Sequence, residues 1–75
     1  METTKVLAAL TNMGWARVSE YDGLITFVYE EKPSGTPYGY LTIDTSYAPT
    51  REDIEDQLSA EGVDLDVFYA HYNAL

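Results

Sequence analysis

Asp22-Gly23 joins two runs of β-branched and aromatic residues, 15–21 and 24–31, and this link constrains the fold more than any other feature of the chain. A two-residue Asp-Gly connection favours the type I′ hairpin, because both central residues must take positive φ and few residue types tolerate it. Such a turn predicts a register in which Tyr21 opposes Leu24, Glu20 opposes Ile25, Val18 opposes Phe27 and Ala16 opposes Tyr29. One face then carries Ala16, Val18, Ile25, Phe27 and Tyr29 and reads as the core face. The other carries Trp15, Arg17, Ser19, Tyr21, Thr26, Val28 and Glu30.

The rest of the chain has to cover that core face. Residues 4–13 place Val6, Leu7, Leu10 and Met13 on one stripe of a short helix, with Thr3 or Thr4 as the expected cap and Gly14 as its left-handed stop. Residues 32–37, Lys-Pro-Ser-Gly-Thr-Pro, are all turn formers and read as an exposed loop. A third strand follows over 38–44, with Leu41 and Ile43 toward the core and Tyr38, Tyr40 and Thr42 away from it. Thr50, with Asp53 three residues on, opens a second helix whose apolar positions are Ile54 and Leu58, and Gly62 ends it. Asp64 caps a third helix, on which Leu65, Phe68, Tyr69, Tyr72 and Leu75 form a stripe. The expected fold is α+β, in the order α-β-β-β-α-α. It is one small domain over 1–75, a three-stranded antiparallel meander with helices packed mainly on one face.

Charge narrows the functional classes. Thirteen Asp and Glu against four Lys and Arg give a formal charge of −9 on 75 residues, too acidic to neutralise phosphates, so direct nucleic-acid binding is not expected. An anionic membrane surface would repel the chain, and no segment approaches ~20 consecutive apolar residues. The first residues hold Glu2 and Lys5 and no apolar run of signal-peptide length, and the chain has no cysteine, which fits a reducing cytoplasm.

Four features are candidates for function. Glu52, Glu55 and Asp56, with Asp53 beside them, form a ridge at helical spacings of ~5–6 Å, close to the separation of successive phosphates on a nucleic-acid strand. First-turn acids also complement a helix dipole, so part of the ridge has a local reason to be there. The surplus is global, however: Glu20, Asp22, Glu30, Glu31 and Asp44 add to it. The second feature is an aromatic sheet face of Trp15, Tyr21, Tyr38 and Tyr40, suited to a protein interface unless helices cover it. Third, Asp64 and Asp66 with Glu61 lack the spacing of a calcium loop, and capping accounts for Asp64, so no metal site is expected. Fourth, His71 has neither a cysteine nor a second histidine to work with, so no catalytic residue, no cofactor and no enzyme are expected.

The α-β-β-β-α order is similar to the double-stranded-RNA-binding fold, which presents a basic helix terminus to the duplex. Here the corresponding stretch is Arg51-Glu52-Asp53-Ile54-Glu55-Asp56, of the opposite sign, so that function does not carry over. In length, element order and charge the chain resembles small phage-encoded inhibitors, the acidic anti-CRISPR and anti-restriction proteins. That resemblance implies an inhibitor that occupies the basic nucleic-acid-binding surface of a target in the host cytoplasm. Its partner-binding residues would be Glu30, Glu31, Glu52, Asp53, Glu55 and Asp56 together with the four aromatics. A structural protein that self-associates as a homodimer through the aromatic face is the alternative.

Overall fold

The computed structural model describes residues 1–29 and 39–75. The expected 32–37 loop, the start of the third strand at Tyr38, and Glu30 and Glu31 lie outside the described residues. The Asp22-Gly23 turn has the positive φ values that its sequence demands, 54° and 82°. It joins β1 (Trp15–Tyr21) to β2 (Leu24–Tyr29), and β2 pairs in turn with β3 (Tyr40–Asp44). The sheet is the expected antiparallel meander in the order β1-β2-β3.

Near the turn the register is the expected one, Tyr21 opposite Leu24 and Glu20 opposite Ile25. Between Arg17 and Ser19 it shifts, because Val18 is an extra residue without a partner on β2. Arg17 therefore opposes Phe27, Ala16 opposes Val28 and Trp15 opposes Tyr29. This corrects the expected facing of half a strand. Val18 is 53% exposed, Ala16 turns to the outer side, and Trp15, expected on the outer face, is only 5% exposed on the core side. The energetics favour the exchange. An indole buries roughly 150–250 Å², worth about 4–6 kcal/mol at ~25 cal/mol per Å². A valine gains about 1.5–3 kcal/mol, so the bulge trades a smaller burial for a larger one.

Three helices cover one side of the sheet. They are α1 (Thr3–Asn12), α2 (Arg51–Ala60) and α3 (Leu65–Asn73). Val6, Ala9, Leu10, Ile54, Leu58 and Phe68 meet Trp15, Ile25, Phe27, Leu41 and Ile43 in a single core. The cap of α1 differs from expectation. Its N-cap is Glu2 and carries no side-chain bond, since Thr3 already lies within the helix. Instead the Glu2 backbone N–H donates to Tyr72 Oη at 3.0 Å, so α3 supplies what a local cap would have. Gly14 stops α1 with φ 100°. Thr50 Oγ1 accepts from the Asp53 N–H at 3.2 Å and Asp64 Oδ1 from the Asp66 N–H at 2.9 Å, so the other two starts are capped as expected. Phe68 is fully buried, and Leu65, Tyr69 and Tyr72 pack against the core. Leu75 lies past the end of α3 and is exposed, outside the stripe expected of it.

Candidate functional site

On α2, Ile54 and Leu58 face the core. At 100° per residue, Glu52, Asp53 and Asp56 share the opposite arc with Ser59 and Ala60, and all five are exposed. Glu55 does not belong with them. It is half-buried, accepts from Arg51 Nε at 2.8 Å and from Tyr69 Oη at 2.6 Å, and so ties α2 to α3. The Tyr69 hydroxyl and then the Arg51 guanidinium stabilise its charged form and hold its carboxyl below the usual carboxylate range. Tyr69 moves the opposite way: partial burial first, and donation to Glu55 second, raise its hydroxyl above the ordinary phenol value. The four-residue ridge read from the sequence is thus three exposed acids and one internal strut.

Cations are consumed locally. Among the described residues, Lys5 lies 4.0 Å from Glu2, Arg17 3.9 Å from Glu20 and Arg51 2.8 Å from Glu55. Lys5 and Arg51 also lie over aromatic rings, 4.4 Å from the centre of Tyr72 and 4.9 Å from that of Tyr69. No described lysine or arginine stands against Glu52, Asp53 or Asp56, nor against Glu61, Asp64 or Asp66 around the α2–α3 turn. Among the described residues most of the surplus charge therefore lies on α2 and around the α2–α3 turn, with Asp22 and Asp44 apart from it.

No described element covers the sheet's outer face. Its rows are Ala16–Val28–Tyr40, Ser19–Thr26–Thr42 and Tyr21–Leu24–Asp44. Tyr21 is 81% and Tyr40 64% exposed, as expected of an open aromatic face, yet they occupy opposite corners rather than one cluster. Trp15 is absent from this face, and Tyr38 lies outside the described residues. Asp44 is the one charged member of these rows, and its carboxyl is held low by bonds from the Ser46 hydroxyl and N–H.

A cleft of about 430 Å³ lies where the ends of α1 and α2 meet the start of α3. Trp15 and Tyr29, tilted at 55° with ring centres 5.3 Å apart, form its aromatic wall. Asn12, Glu61, Asp64 and His71 contribute polar groups. Sequence reasoning did not find it, because it requires Trp15 on the helix side and so depends on the bulge. Among the described residues no three His, Asp or Glu side chains gather closely enough to hold a metal, and no helix is long and apolar enough to cross a membrane. Compared with known proteins, the chain matches no family model, no curated protein and no solved structure.

Proposed function

We propose that the protein is a small acidic interaction module whose carboxylates engage a basic surface on a nucleic-acid-handling protein. In this reading it acts as an inhibitor, holding a groove that would otherwise take DNA or RNA, as in a CRISPR effector or a restriction enzyme of the cell in whose cytoplasm it is present. One observation carries the reading: each described lysine and arginine is paired with a carboxylate of this chain, which leaves Glu52, Asp53 and Asp56 exposed on one helix face with no described lysine or arginine against them. Glu30 and Glu31 would extend the same sign, and Tyr21 and Tyr40 offer apolar contact on a different side. Steering between opposite potentials makes such association fast and salt-sensitive.

The test is capture of the partner from host lysate at low and high salt, with duplex DNA and RNA as competitors. The expected partner is a nucleic-acid-handling protein released by salt and by nucleic acid. It should be lost when Glu52→Gln, Asp53→Asn and Asp56→Asn are combined. Capture that is indifferent to these three substitutions overturns the mechanism.

The second reading is self-association through the sheet's outer face, favoured by its described rows, in which Asp44 is the one charged residue. Size counts against it. Three strands ~4.8 Å apart and five residues long span about 14 × 17 Å, roughly 240 Å² in projection, whereas a stable interface takes about 800 Å² per partner. A monomer in sedimentation at low micromolar concentration would remove this reading.

A further inference from the structure

We infer that the cleft between α1, α2 and α3 receives an arginine side chain of the basic partner; this rests on the interaction-module reading above. Four properties of the cleft converge on a guanidinium. Its volume, about 430 Å³, falls in the ~300–1,000 Å³ range of small-ligand sites and is ample for one side chain. Its wall holds the half-buried Tyr29 ring backed by the buried Trp15, and a planar guanidinium stacks on an aromatic ring in a way that an ammonium does not. Two carboxylates line it, Glu61 and Asp64, beside Asn12 and His71, and no described lysine or arginine does. Asp64 uses Oδ1 to cap α3, and neither acid is ion-paired among the described residues.

The fourth property comes from the backbone. Met13 and Glu61, both lining the cleft, are the C-cap residues of α1 and α2, so two helices end at it; N–H groups at each cap bond the carbonyls of Ala9, Leu10 and Thr11 and of Gln57, Leu58 and Ser59, which lessens but does not reverse the negative sign of those ends. Neither has a basic residue in its last turn to offset that end. The start of α3 contributes the opposite sign, but Asp64 already caps it. The cleft is thus negative from side chains and from main chain together, with an aromatic wall, and an arginine supplies the planar cation that fits both.

The experiment uses Trp15, the single tryptophan, as a reporter inside the site. The protein is titrated with N-acetyl-arginine amide, with its neutral isostere N-acetyl-citrulline amide, and with agmatine, and tryptophan emission is read. The expected result is a saturable response to the arginine amide, with citrulline at least about fivefold weaker and Glu61→Gln weakening arginine by a similar factor. Val67→Phe, which fills the cleft, should abolish the response while circular dichroism reports an intact fold. Equal responses to arginine and citrulline, or an arginine response unchanged in Glu61→Gln, overturn the inference. Agmatine binding tenfold tighter than the arginine amide also overturns it, because the site would then be one for a free small cation. The titration needs no partner. Failure of the interaction-module reading would appear in the lysate experiment with the α2 substitutions, and failure of this inference in the titration.

Discussion

Glu55 separates what a residue's position on a helix suggests from what its side chain does. By spacing it belongs to an outward ridge. In the fold it accepts from Arg51 and from Tyr69, fourteen residues on, and so joins two helices. The pH dependence of this contact follows from its two shifts. Glu55 is held below its ordinary value, so its contribution is present above the unfolded carboxylate pKa of ~4.3 and is lost as pH falls through the lower folded value. Tyr69 is raised, so its contribution is present below the phenol's ordinary value of ~10 and is lost as pH rises through the higher folded one. Tyr69→Phe should therefore lower Tm at pH 7, and the gap from the parent protein should narrow below about pH 4. Paired melts across pH 3–8 check this. A gap constant over that range would mean that the hydroxyl's contribution does not depend on the charge of Glu55, and no gap at any pH would mean that only the ring's packing matters.

At the scale of elements, Val18 decides the architecture of the site. Removing it from β1 would place Arg17 directly before Ser19, and their partners, Phe27 and Thr26, are already adjacent on β2. The deletion should therefore yield an unbroken ladder that keeps Trp15 on the core side, with stability changed by no more than about 1 kcal/mol and tryptophan emission still blue. A red-shifted emission would mean that the hairpin had slipped instead and that the bulge is needed to place the indole. The same element shows what was legible in the sequence and what was not. The Asp22-Gly23 turn, the Thr50 and Asp64 caps and the Gly14 stop are decided by bonds within a few residues, and all were readable. So were the element order and the inward facing of Leu41 and Ile43, which follow from alternation. The bulge was not, because choosing Trp15 over Val18 depends on how deep a core the helices make. The Tyr72 bond that replaces a side-chain cap on α1, the Glu55–Tyr69 contact and the cleft share that cause. Each is fixed by where distant elements meet, and periodicity along one segment carries no information about it.

For the whole molecule the governing quantity is the distribution of an unbalanced charge. The described lysines and arginines are each held by a nearby acid, so Asp22, Asp44, Glu52, Asp53, Asp56, Glu61, Asp64 and Asp66 carry surplus charge with no described lysine or arginine beside them. The radius of gyration is 11.7 Å, so acids on opposite sides of the molecule are separated by more than the ~8 Å screening length of 0.15 M salt. Those on α2 lie ~5–6 Å apart and still repel at that salt. Long-range repulsion should thus act mainly below about 0.05 M, where the screening length exceeds the radius of gyration, and neighbour repulsion should persist above it. Salt also weakens the three ion pairs, but exposed pairs are worth only about 0.2–1 kcal/mol each, and the repulsions outnumber them. Tm should therefore climb steeply from ~10 mM to ~150 mM sodium chloride and more gently to ~0.5 M. Combining Glu52→Gln, Asp53→Asn and Asp56→Asn should flatten mainly the second part of that curve, since those substitutions remove the closest set of like charges. Calorimetric melts of both proteins over this range are the measurement. A parent Tm insensitive to salt would show that repulsion is already offset within the fold, and the acids of α2 would then have no energetic reason to seek a basic surface.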